Sequence, residues 1–218
     1  MIQRVRAVTL TLLAVGACAA SLTACGGDDA NPSSSSSSSN TAAVTSPGTG
    51  SDGALLPGNV PAPGFTLADE HGRPVSLSDY RGRVVALAFL YTTCGGPCFL
   101  IAQQLRGALD ELAAEHARTP AVVIVSADPA TDTPARIARF LNETSLAGRA
   151  QYLTGTPAEL ESVWRAYRVR PASAGRGVFA EYASVLLLDG RGRERVLFQS
   201  EQLTPEGISH EIARLESG

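Results

Sequence analysis

Lysine is absent from this 218-residue chain: all 18 basic residues are arginine, and they are scattered rather than run together. Against 21 acidic residues they leave a net charge of −3, so no basic stripe marks a nucleic-acid partner. Histidine is nearly missing, with three in all, which confines any imidazole chemistry to His71, His116 and His210. Cysteine is scarce too. Of the four, Cys18 and Cys25 lie at the extreme N-terminal side, which leaves only Cys94 and Cys98 further on. A domain with one close pair is not a disulfide-stapled scaffold.

What is present begins with "MIQRVRAVTLTLLAVGACAASLTACGG". Arg4 and Arg6 precede an apolar stretch and a small-residue boundary, the pattern of a secretory signal over residues 1–24, too short and wrongly flanked for a stable spanning helix. Leu22-Thr23-Ala24-Cys25 resembles a bacterial lipobox, which implies a covalent lipid on Cys25 and attachment to the extracytoplasmic face of the cell membrane. Residues 25–59 are Ser, Gly, Pro and Asp with almost nothing to bury, and they read as a disordered tether with a root-mean-square span of roughly 30 Å. Residues 60–218, about 160 in number, suffice for one domain with its own core.

Within that domain the pattern alternates between strand and helix. "FTLADEHGRPVSL" reads as a hairpin turning at His71-Gly72, and "RVVALAFLY" (Arg83–Tyr91) as a central strand covered on both faces. After the cysteines, Ile101, Leu105, Ala108, Leu109 and Leu112 share one helical face. "AVVIVSAD" is a second buried strand, and "DTPARIARFLN" opens a helix with Thr133 as cap and Pro134 at its first position. "PAELESVWRAYRV" is a third helix, "YASVLLLDGRGRERVLFQ" a strand pair, and "TPEGISHEIARLE" a last helix. This order predicts a layered α/β fold with a mixed, partly parallel sheet.

The chemistry concentrates in "YTTCGGPCFL" (Tyr91–Leu100), at the carboxyl end of a buried strand. Pro97 suits a first helical turn, so Cys94 falls just before the helix and Cys98 just inside it. Unpaired N–H groups and the positive end of the helix dipole favour thiolate there. Two soft thiolates so placed can hold Cu(I) or oxidise reversibly to a Cys94–Cys98 disulfide; a structural bridge is the plainer alternative.

The run from "FTLADEHGRPVSLSDYRGRVVALAFLYTTC" through "SADPATDTPARIARFL" to "VWRAYRV…YASVLLLDGRG" resembles the Sco (SenC) family. The resemblance covers Val60 to the C-terminus. It implies a three-layer thioredoxin-like fold, copper bound through Cys94 and Cys98, and service to the copper-bearing subunit of cytochrome c oxidase or to another extracytoplasmic copper or thiol protein. It also implies a histidine ligand at the start of the strand "YASVLLLDG". The matching position is Glu181, or Tyr182 one residue on, and neither is histidine. The prolines that usually follow the two cysteines are replaced by Gly95 and Phe99. Without imidazole the site suits Cu(I) better than Cu(II). A thiol–disulfide oxidoreductase using the same redox pair, and an interaction module that keeps only the fold, are the alternatives. The sequence explains Asp132, Thr133 and Pro134 as helix-start residues.

Overall fold

The computed structural model describes residues 53–174 and 183–218. Their sheet has eight strands: β1 (Ala54–Leu55), β2 (Thr66–Asp69), β3 (Pro74–Ser76), β4 (Val85–Leu90), β5 (Ala121–Ser126), β6 (Ala150–Thr154), β7 (Ser184–Leu188) and β8 (Glu194–Gln199). The spatial order is β1-β8-β7-β4-β5-β6-β2-β3. β4, β5 and β6 are parallel, and β7 and β2 join them antiparallel, so the sheet is mixed.

Strand pleating sorts the apolar residues of the central strands onto two faces. Ala86, Ala88 and Leu90 of β4, with Val122 and Ile124 of β5, pack beneath α1 (Gly96–Ala114), α2 (Pro134–Glu143) and the last helix, α4 (Pro205–Glu216). Val85, Leu87 and Phe89, with Val123 and Val125, meet Leu160, Val163 and Trp164 of α3 (Pro157–Ala166) on the other face. Helix, sheet, helix: the three layers follow from two strands that are buried throughout and apolar at every position but Ser126. The predicted face of α1 is buried at all five named positions, and Thr133 and Pro134 occupy the cap and first turn of α2 as expected.

The segment read as tether reaches into the sheet. Ala54 and Leu55 pair with Leu197 and Val196 of β8, before the expected domain start at Val60. Two residues are too few for a periodic signal, and the pairing is dictated by the otherwise open edge of β8. Among the described residues, no helix is long and apolar enough to cross a membrane.

Candidate thiol and metal centre

The cysteine loop is built by three local devices. First, the Cys94 N–H donates to the Tyr91 carbonyl at 3.2 Å, closing a tight turn directly after β4. Second, Gly95 caps α1 with φ 80° and ψ −137°, a conformation that only glycine adopts without strain, and its carbonyl accepts the first helical bond from Phe99 N–H at 3.1 Å. Third, Pro97 lies in the first turn of α1, where its missing N–H costs nothing. Cys94 therefore precedes the helix and Cys98 sits inside its first turn. Their Cα atoms are 5.8 Å apart and their sulfurs are bonded to each other.

The two sulfurs differ in access. Cys98 is fully buried, whereas Cys94 is partly exposed and packs against the edge of the core. Gly95 and Gly96 are exposed beside it, and Phe99 and Leu100, 42% and 46% exposed, form an apolar lip on the next turn. An attacking thiolate thus meets Cys94 first. Cys98 would depart as a thiolate at a helix N-terminus, where free N–H groups and the dipole stabilise it.

Beneath the turn sits a carboxylate whose role was not visible in the sequence. Asp132 is 4% exposed and takes four hydrogen bonds on its two oxygens. Thr92 N–H and Thr92 Oγ1 each donate to Oδ1 at 2.7 Å, while Ser126 Oγ and Tyr152 Oη donate to Oδ2 at 2.6 and 2.8 Å. Asp132 is therefore more than a helix-start residue: it fastens the turn that presents Cys94 to the end of β5 and the middle of β6. Burial, and then the nearby Asp132 charge, push the Tyr152 hydroxyl well above its usual range, so it remains a donor. A second tie runs alongside. Thr93 Oγ1 lies 3.3 Å from Thr131 Oγ1, which donates to Asp128 Oδ2 at 2.8 Å.

The sequence signal for this brace was faint. A buried parallel pair, β4 beside β5, sets Leu90 opposite Ser126 and so brings Thr92 to the loop that carries Asp132. Without the pairing, forty residues separate donor from acceptor.

The structure does not bring the histidines to the sulfurs. β2 runs antiparallel to β6, so the β2–β3 turn that carries His71 lies at the end of the sheet away from the cysteines. His116 follows the far end of α1, a helix about 28 Å long. His210 lies exposed on α4. Among the described residues, no group of three His, Cys, Asp or Glu side chains is close enough to share a metal. Glu181 and Tyr182, the positions matched to the histidine ligand, lie outside the described residues, as does Cys25. What the described site offers a metal, once the disulfide is opened, is a pair of sulfurs on one turn.

Comparison with known proteins agrees with this architecture. The family model SCO1/SenC matches residues 57–217. Protein SenC of Rhodobacter capsulatus is 32% identical over 127 residues, 58% of this chain and 53% of that protein. BsSco, described as a member of the Sco family of cytochrome c oxidase assembly proteins with a disulfide switch, superposes with a TM-score of 0.62 at 21% identity, covering 74% of this chain and 96% of that one. The copper-bound ScoI of Bradyrhizobium japonicum gives a TM-score of 0.53 at 28% identity, covering 72% and 99%. The chain spans about half or less of the length of the curated relatives it matches. The fold is thioredoxin-like, as the resemblance implied. With a family model spanning β2 to β8, the cysteine turn and the helices on both faces, this chain belongs to the SCO1/SenC family.

Proposed function

We propose that this protein is held at the extracytoplasmic face of the cell membrane by a lipid on Cys25 and carries Cu(I) on Cys94 and Cys98. We propose further that it hands this cargo to a copper-site protein during assembly of cytochrome c oxidase. The observation that carries the proposal is the placement of both sulfurs on one turn at the start of α1, one of them partly exposed. Copper bound to the related ScoI and the assembly role given for BsSco support the reading. The anchor rests on the Leu22–Cys25 boundary alone.

The disulfide must first open. An external dithiol supplies two electrons: its thiolate attacks Cys94, the Cys94–Cys98 bond breaks, and Cys98 leaves as thiolate. The partner's second thiol then closes its own disulfide and releases Cys94. Only this reduced form holds copper. Two thiolates satisfy Cu(I), whereas Cu(II) needs a nitrogen ligand that Glu181 does not supply.

Titrating Cu(I) into the reduced and the oxidised full chain, against a chromophoric chelator, tests the proposal. We expect one Cu(I) held by the reduced protein and none by the oxidised protein or by Cys94→Ser. Glu181→His should add Cu(II) binding with a sulfur-to-copper charge-transfer band, and Tyr182→His controls for a one-residue shift in the match. The bonded sulfurs favour a second reading, a thiol–disulfide oxidoreductase acting on partner cysteines. Absence of Cu(I) binding, together with rapid disulfide exchange, would select it over the first.

A further inference from the structure

The end of the sheet away from the cysteines carries an arrangement that the thiol chemistry does not use. The sequence contains the triplet Arg-Gly-Arg twice in turns flanking the central strands, as Arg81-Gly82-Arg83 before β4 and Arg191-Gly192-Arg193 between β7 and β8. The fold lays the two against each other. Gly82 N–H donates to the Gly190 carbonyl at 2.8 Å, and the Arg81 guanidinium donates to the Arg191 carbonyl. Both middle glycines have positive φ, 84° and 69°, so each triplet turns sharply. Arg81, Arg83, Arg191 and Arg193 are all exposed.

Two acids at this end are engaged by other arginines. Asp189 pairs with Arg195 at 2.9 Å and Glu216 with Arg118 at 3.2 Å, and these two carboxylate side chains are only 11% and 12% exposed. Among the described residues, none of the four triplet arginines lies within ion-pair distance of a carboxylate. Four like charges on two abutting turns repel one another, and a multiply anionic surface removes that repulsion. Guanidinium presents paired donors that match phosphate oxygens, which makes an all-arginine patch a phosphate-reading surface.

We infer that this arginine pole docks on the anionic phospholipid headgroups of the membrane, leaving the cysteine turn pointing away from the bilayer toward its partner. The inference rests on the proposed membrane placement of the chain. β4 alone separates the two poles by about 20 Å, so a docked pole holds the sulfurs clear of the headgroups. A basic side chain near an anionic surface strengthens binding by about fivefold, so two contribute about twenty-five-fold.

Co-sedimentation with vesicles tests this on the full chain bearing Cys25→Ser, which removes the acyl anchor. Vesicles of phosphatidylcholine mixed with phosphatidylglycerol are compared with pure phosphatidylcholine, at low and at high ionic strength. Arg83 and Arg191 are the residues to change, because neither side chain holds a hydrogen bond within the described fold. We expect the parent to prefer the anionic vesicles, and Arg83→Gln/Arg191→Gln to lose about twenty-five-fold of that preference. Arg83→Lys/Arg191→Lys should keep most of it, and Arg136→Gln/Arg139→Gln on α2 should keep all of it. An undiminished preference in the Arg83→Gln/Arg191→Gln variant would overturn the inference. So would an equal loss in the α2 control, or release by millimolar inorganic phosphate at constant ionic strength, which would mark a small-anion site instead. Cu(I) uptake is measured on the same variants. Unchanged uptake with no lipid preference refutes the docking and leaves the copper proposal standing.

Discussion

The two ends of β4 solve opposite problems. At its carboxyl end the chain turns through Tyr91–Cys94 and into α1 with its polar groups tied inward: one buried acid, Asp132, gathers two donors from Thr92 and one each from Ser126 and Tyr152. At its amino end backbone bonds, the Asp189 carboxylate and the Arg81 guanidinium hold the turns, and four arginines are left exposed. The first end is over-determined and presents two sulfurs in a fixed geometry. The second tolerates exchange of any one charge because no single contact carries it. Fixing a reactive pair requires satisfied buried polar groups, whereas attracting a charged surface requires only net charge on a stable scaffold.

Breaking the brace should give the largest effect. Asp132→Ala strands the donors of Thr92, Ser126 and Tyr152 in a dry site and should cost about 3 kcal/mol in chemical denaturation. Asp132→Asn should recover part of that. If the loss stays below about 1 kcal/mol, the network does not hold the turn. Next comes Gly95→Ala. A Cβ there meets no neighbour within 4 Å, so the cost is conformational alone. We expect about 2 kcal/mol, together with altered thiol reactivity as the start of α1 shifts.

Much of this contrast could be anticipated and some could not. β4, β5 and the apolar face of α1 were legible because all their positions except Ser126 are buried for one reason, apolar area. The cap Thr133 and the turn at His71-Gly72 carry local signals and were equally accessible. β6, with its half-polar Ala-Gln-Tyr-Leu-Thr, has no clear period and becomes a strand only because β5 and β2 flank it. Asp132 reads as a helix-start acid because its donors at Thr92, Ser126 and Tyr152 are gathered only by the pairing of β4, β5 and β6. The arginines look scattered along the chain and are collected only by the folding of two remote turns. The pair Cys94 and Cys98 stood out at once, yet the difference in access between its members depends on how α1 settles on the sheet.

Two smaller effects sharpen the comparison. Opening the disulfide should lower stability by no more than about 2 kcal/mol, because it closes a very short loop and removes little unfolded-state entropy. Melting with and without reductant measures this, and a collapse of the fold would make the bridge structural. At the other end, Asp189→Asn should cost about 1 kcal/mol at neutral pH. Burial alone would raise this carboxyl, but the N–H groups of Arg193 and Arg191 and the Arg195 guanidinium outweigh it and hold the pKa below its ordinary value. Because the folded value is depressed, the contribution is present above the ordinary carboxylate range and is lost as pH falls through the folded value. The gap between parent and variant melting temperatures should therefore close as the solution is acidified below the ordinary carboxylate range. A gap that is constant with pH would mean that the ion pair with Arg195 contributes nothing.

The proposed copper site of Cys94 and Cys98 acts without imidazole, and this can be read directly. Copper-edge X-ray absorption of the reduced full chain, loaded with one equivalent of Cu(I), reads the ligands directly. We expect a shell of two sulfurs and no imidazole scattering, lost in both Cys94→Ser and Cys98→Ser. An imidazole shell in the unaltered protein, or a sulfur shell that survives removal of either cysteine, would contradict it.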